Sequence, residues 1–305
     1  QLLSESNEQS TKINEYLRSL VVVIVEKMTI SASQYHDIIY SLLTDGIEPQ
    51  YLTYLSMFSK IFAFDFPQNF QQTFEIIMNF LTNSEEITDD VVYRNEVVYY
   101  CSTSILVLSA VKNFNENVEN ATSLLLDLLY KDNSNLNILI GLSGICMYHK
   151  NEIIELLPTL FQIVSQINIL DLAENRMNDE LNDFDDRIEV DDVICSIANI
   201  VIACYEVEPE NQEIIDSIIE ILQSINSIKK IESSTVLESA IDLLISLNYP
   251  LLFEVDKQMN ITSDIIKKSD EFESKDLKDC VEQLKEKIKI CYALAYDESG
   301  NEEES

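Results

Sequence analysis

The sequence returns five times to a short phrase of paired apolar residues, and after each phrase comes a second, broader apolar pattern at helical spacing. The phrases are Ile38-Ile39-Tyr40-Ser41-Leu42-Leu43, Ile76-Ile77-Met78-Asn79-Phe80-Leu81, Leu125-Leu126-Asp127-Leu128-Leu129, Leu160-Phe161-Gln162-Ile163-Val164 and Ile218-Ile219-Glu220-Ile221-Leu222. With Leu42, Phe80, Leu128, Ile163 and Ile221 taken as equivalent, the steps are 38, 48, 35 and 58 residues. They average about 45, the period of a two-helix repeat. A unit of that kind packs only on its neighbours, so a chain of 305 residues can grow without enlarging one core. The predicted fold is all-α: an α-solenoid of stacked antiparallel helix pairs. Four Gly and five Pro leave little material for hairpins.

The pairs are read as residues 33–44 with 49–64, 67–82 with 89–112, 117–131 with 135–149, 152–167 with 188–206, and 210–225 with 233–248, after a first helix over 11–29. Gly46 and Pro49 mark a helix end and the next start, Pro67 another start, and Thr88-Asp89-Asp90 an acidic N-terminus. Second helices such as the one carrying Val193, Ile194, Ile197, Ile200, Val201, Ile202 and Cys204 are apolar over most of their circumference, which predicts burial on several sides. First helices keep a polar stripe, as at Asp216, Ser217, Glu220 and Gln223, and are read as the solvated layer. Gly141, Ser143 and Gly144 weaken a helix and are expected where a neighbouring helix comes close. Residues 1–250 are thus read as repeats, 251–295 as capping helices with Leu277, Cys280, Leu284, Ile288 and Cys291 on one face, and 296–305 as an acidic disordered tail.

Charge narrows the partners. The formal net charge is −34, from 54 acidic against 20 basic residues, and residues 151–305 hold −24 of it, with 36 acids and 12 bases. Such a field attracts basic partners and repels nucleic acid and anionic lipid headgroups, so neither is expected as a direct ligand. The longest unbroken apolar run, Leu20 to Val25, is six residues. It is far short of the ~20 needed for a membrane span, and no insertion is expected. Cys101, Cys146, Cys195, Cys204, Cys280 and Cys291 lie in apolar helical patterns without Cys-x-x-Cys spacing, as buried thiols of a reducing compartment do. The sequons at Asn120 and Asn260 are discounted because no signal peptide is read ahead of them. The opening Gln1 is what a piece of a longer protein would show.

The wording of several units resembles HEAT repeats. Glu155-Leu156-Leu157-Pro158-Thr159-Leu160 is similar to the Leu-Leu-Pro-x-Leu opening of a HEAT outer helix, with its proline inside the helix. Residues 121–169, the acidic segment after them, and 190–205 with Val190, Val193 and Cys195 resemble the C-terminal third of importin-β-type karyopherins. The family's N-terminal Ran-binding repeats are not recognisable here, and Trp is absent. The resemblance therefore implies the C-terminal arch of a nuclear transport receptor, cytoplasmic and nuclear, with basic cargo on its concave face. It further implies Phe-Gly nucleoporin segments in clefts between outer helices, and a Ran-type GTPase as partner. HEAT wording is shared with scaffolds, so the alternative is a HEAT scaffold or regulatory subunit, such as a phosphatase scaffold.

The densest local feature is Asp179, Glu180, Asp183, Asp185, Asp186, Glu189, Asp191 and Asp192, opposed only by Arg187. It is read as a loop between the two helices of one repeat. Two roles stand open: a clamp for a basic peptide, or a solvated loop whose last acids favour a helix N-terminus through the dipole. A calcium loop is discounted, since the Asp-x-Asp-x-Asp-Gly order is missing. His36 and His149 share no ligand spacing with cysteine and are read as partly buried, without zinc. The aromatic residues Tyr51, Tyr54, Phe58, Phe62, Phe64, Phe66, Phe70, Phe74 and Phe80 fit either a groove for Phe-rich peptides or, as their helical spacing favours, the core between stacked units. No phosphate loop, nucleophile elbow or His-Glu-x-x-His occurs, so no enzyme, cofactor or metal is expected. The cysteine reading has a direct check: all six thiols should titrate as free after denaturation without reductant. Three disulfides would instead place the protein in an oxidising compartment.

Overall fold

A computed structural model describes residues 33–45, 47–84, 90–178, 184–229, 231 and 233–301. Among them there are α-helices and two short 3-10 segments but no strand, so the protein is all-α. Contacts divide the chain into two compact units, 1–152 and 153–305.

In the first unit the helices are α1 (His36–Thr44), α2 (Leu52–Phe62), α3 (Pro67–Thr82), α4 (Val91–Ser109), α5 (Val118–Lys131) and α6 (Ile138–His149). Their starts follow local chemistry. Pro67 occupies the first turn of α3, where its missing N–H is no loss, and Asp90 caps α4 by accepting from the Val92 N–H at 2.9 Å. Helices α2, α4 and α6 touch in succession as one row; α3 packs on α2 and α4, touches α5, and α5 packs on α6. Amphipathic α3 turns Phe70, Thr73, Phe74, Ile77 and Leu81 inward. By contrast α6 is buried at every position from Ile138 to Cys146, as the sequence predicts for a second helix.

The second unit contains α7 (Leu157–Val164), α8 (Ile169–Asn178), α9 (Phe184–Val207), α10 (Gln212–Ser227), α11 (Ser234–Ser246), α12 (Tyr249–Met259), α13 (Ile261–Ser269) and α14 (Lys275–Asn301). Again there are two rows. Helices α9, α11 and α14 form one, α8, α10 and α13 the other, while α7 lies on α9, and α12 on α13 and α14. Side chains of Asn211, Ser233 and Asn248 cap α10, α11 and α12. Asn260 makes the sharp junction of α12 and α13 at φ 54°, a left-handed conformation that asparagine tolerates better than most side chains.

Four helix ends are closed by a donor from farther along the chain. The Asn113 amide donates to the Ala63 carbonyl beyond α2 at 3.2 Å, and His149 Nε2 donates to the Ser109 carbonyl at the end of α4 at 2.7 Å. In the second unit Lys268 of α13 donates to the Asn226 and Ile228 carbonyls at the end of α10. Lys287 of α14 does the same for Ile245 and Leu247 after α11, with its ammonium 5.4 Å from the Tyr249 ring centroid. Desolvation lowers the pKa of both lysines. These carbonyls have no partner within their own helix, and a cation there also opposes the negative end of the helix dipole.

Several expectations change. The helix over 11–29 and Gly46 lie outside the described residues. The segment 152–167 is helical only from Leu157, so Pro158 sits in the first turn rather than in a helix interior, and the feature most specific to HEAT wording loses its force. What was read as the link between α7 and α9 contains a helix of its own, α8, and α9 starts at Phe184. The terminal helix continues to Asn301, into the stretch read as a disordered tail.

The two glycines of α6 do mark a close approach. A Cβ at Gly144 would stand 2.7 Å from the Leu106 Cα of α4, whereas one at Gly141 would meet only the Leu125 Cδ1 at 3.0 Å and the Ser102 Cα at 3.5 Å. Gly144→Ala should therefore destabilise the first unit by about 1–3 kcal/mol, the usual cost of overpacking. For Gly141→Ala the methyl of Leu125 can yield, and the gain of up to ~1 kcal/mol in helix propensity brings the change near zero. Urea unfolding of the two variants checks this; equal effects at the two positions would contradict the close approach of α4 and α6.

Candidate functional site

The sequence places its densest acids at 179–192, and the structure distributes them. Asp179, Glu180 and Asp183 lie outside the described residues. Asp185, Asp186, Glu189, Asp191 and Asp192 are on α9, so they belong to a helix and not to a loop. Carboxylates are at home in the opening turns of a helix because the dipole favours negative charge there. Asp191 is buried at 3% exposure and Asp192 is half-buried.

From there an acidic face continues along the row. Next to Asp191 and Asp192 is the Cys195 thiol, pushed up to about 11 by burial, with hydrogen bonds to Ser239 and Thr235 of α11 opposing the shift and the two carboxylates adding to it. On α11, Glu238 and Asp242 are four residues apart on one face; desolvation and then Glu238 raise the Asp242 pKa, although its carboxylate still reaches solvent. Ser274 donates to Glu238 Oε1 at 3.2 Å, which leads to α14. There the Cys280 thiol is raised by burial and then by Asp242, Glu238, Asp276 and Asp279. Three successive helices thus bring acids to neighbouring places. Sequence reading missed the members beyond 192, yet a signal existed: Asp192, Glu238 and Asp279 are 46 and 41 residues apart, close to the repeat spacing.

A second feature of the same unit is a groove of about 560 Å³ between α7, the end of α9 and the start of α10, lined by apolar and polar side chains in similar measure, Gln162 and Ser165 among the latter. Leu157, Cys204 and Ile214 are its buried floor, and Ile154, Pro158 and Phe161 form one wall. Val207, Glu208 and Glu213 stand on the other side. Cys204 is held as a thiol, pushed up to about 12 by burial and then by Glu208, and its S–H lies 3.6 Å from the Leu157 carbonyl. It is a packing surface rather than a nucleophile. No signal for this groove was read in the sequence, because its walls come from helices separated by α8.

The remaining candidates are structural. His36 stacks on Phe66 with ring centroids 3.5 Å apart and lies 5.0 Å from Phe58; Asn69 donates to its Nε2 at 3.3 Å, which leaves the proton of the neutral ring on Nδ1. Both histidines are buried more deeply than expected. Tyr51, Phe58, Phe62, Phe70 and Phe74 are core, as their spacing favours, while Phe64 is 95% exposed. No group of three or more His, Cys, Asp or Glu side chains able to hold a metal occurs among the described residues, and no described helix is long and apolar enough to cross a membrane. Compared with known proteins, the chain matches no family model, no curated protein and no solved structure.

The crowding of Asp242 has a measurable sign. Its folded pKa is above the unfolded value, so its ionisation opposes folding: relative stability is greatest below the ordinary aspartate range and is lost as pH rises through the folded pKa. Asp242→Asn should stabilise the second unit at pH 7 by about 0.2–0.5 kcal/mol, the scale of an exposed like-charge pair one helical turn apart. The gain should vanish below about pH 4. Thermal melts at the two pH values check it, and a loss of stability at pH 7 would contradict the crowding.

Proposed function

We propose that the chain is an α-solenoid, in each unit a short stack of helix pairs, that binds other proteins rather than transforming a substrate. One observation carries this reading: Asp192, Glu238, Asp242, Asp276 and Asp279 stand on consecutive helices of one row, near enough that desolvation and then Glu238 raise Asp242 and that the Cys195 and Cys280 thiols between them are raised by burial and then by these carboxylates. A surface of repelling carboxylates is relieved by a cationic partner, which makes a basic and extended protein segment the natural ligand. The row arrangement supports the same reading, since stacked helix pairs present long faces to extended partners. In its most specific form, which the wording of 121–169 and 190–205 supports, the protein is a karyopherin-like transport receptor. That form would also take Phe-Gly segments and a Ran-type GTPase.

The test is a fluorescent peptide of the lysine-rich nuclear-localisation type, titrated with the protein over a salt series. Affinity should fall steeply as ionic strength rises, because exposed charges are screened beyond ~8–10 Å in physiological buffer. Replacing Glu238, Asp242, Asp276 and Asp279 together by the amides should weaken binding about tenfold at low salt and flatten the salt dependence. Equal affinity of variant and parent at every salt concentration would reduce the acidic face to solvated surface. Displacement of the peptide by a Ran-type GTPase in its GTP form would favour the receptor over a scaffold that holds an enzyme.

A further inference from the structure

Building on the partner-binding reading, we propose that the groove between α7, α9 and α10 is a docking slot for a protein segment that inserts one bulky apolar side chain with Lys or Arg on either side of it. The floor of Leu157, Cys204 and Ile214 is buried, so the slot already has the desolvated bottom that an anchor residue needs. On its open side Ile154, 45% exposed, and Pro158 give an apolar patch among polar neighbours. A volume of about 560 Å³ accepts a Phe or Leu side chain together with the backbone that carries it.

The polar groups of the slot argue against a small metabolite. Such ligands are oriented by several convergent donors and acceptors. Here Asn211 is already committed: its amide donates to Glu208 Oε2 at 2.8 Å, and its side-chain oxygen accepts from the Glu213 N–H at 3.1 Å. The Ser165 hydroxyl likewise donates to the Gln162 carbonyl, and the Gln162 side chain alone does not make a convergent set; the charges of the slot, by contrast, are uniform in sign. Glu208 and Glu213 stand in the wall and Glu210 between them in sequence is exposed; Glu155, next in sequence to the lining residue Ile154, is exposed as well. Neither stretch of chain that builds the slot contains a base, since no Lys or Arg occurs in residues 151–175 or 188–228. An anchor flanked by acids would be repelled, a neutral one would meet only the floor, and one flanked by bases would meet both floor and rim.

The experiment uses the full chain and three fluorescent peptides: one with a single Phe between two pairs of Lys, one with that Phe replaced by Ser, and one with the Lys replaced by Ser. By anisotropy at low ionic strength the first should bind at least about tenfold more tightly than either of the others, a difference of ~1.4 kcal/mol. Ile154→Arg, at an exposed position where folding is spared, should abolish that preference. Glu208→Gln with Glu213→Gln should lower affinity several-fold and flatten the salt dependence. The Asp276→Asn, Asp279→Asn variant should leave the preference for Phe unchanged. Equal binding of the Ser-for-Phe peptide would overturn the slot, for charge alone would then suffice, and equal binding of the neutral Phe peptide would overturn the role of the rim. Should the first peptide bind without preference while the lysine-rich peptide still responds to the acidic face, the slot fails and the partner-binding reading stands.

Discussion

A helical stretch that is apolar round its whole circumference has to be enclosed on every side, and each unit of this protein has one. Helix α6 has no solvated face from Ile138 to Cys146, and α9 buries Ile194, Ile197, Ala198, Ile200 and Val201. Enclosure needs partners before, after and beside the helix, which is what rows of consecutive contacts provide. It also limits separation. At Gly144 the backbones of α4 and α6 come so near that a single methyl group has no place: it would stand 2.7 Å from both the Leu106 Cα and the Ser109 hydroxyl oxygen, which is itself tied to the Leu106 carbonyl of α4.

The all-α class, the pairing of an amphipathic helix with a fully buried one, and the close approach at α6 were legible because each depends on period and side-chain size, both local properties of sequence. Helix starts were legible where a proline or a capping side chain marks them, as at Pro67 and Asp90. The short α7 was misread because Leu-Leu-Pro fits either a helix interior in a known repeat or an ordinary first turn; only the turns over 151–156 decide between them. Asp185 and Asp186 were placed in a loop because charge density there masked a helix start four residues ahead of the 188–206 read from the apolar spacing, whereas Glu189, Asp191 and Asp192 already fall within that span. The groove could not be read at all. Ile154 and Ile214 come to line it together only through tertiary packing, and nothing in either local sequence refers to the other.

Charge and stability pull in different directions in the second unit. Its surface gathers carboxylates on neighbouring helices, where desolvation and then Glu238 raise Asp242, and two of its bases are turned to other partners. Lys268 and Lys287 point their ammonium groups at backbone carbonyls.

Those carbonyl contacts also give each row of helices a direction. In all four cases the donor lies later in the chain than the helix end it closes, and in three it sits on the next helix of the same row. Peeling helices away from the N-terminal side would remove apolar contact but leave the remaining ends closed. Peeling from the C-terminal side removes apolar contact and uncaps the helix left behind, whose carbonyls must then find water beside a newly bared apolar surface. Loss of order in either unit should thus advance more readily from its C-terminal edge, which makes the two ends of an apparently repetitive row mechanically unequal.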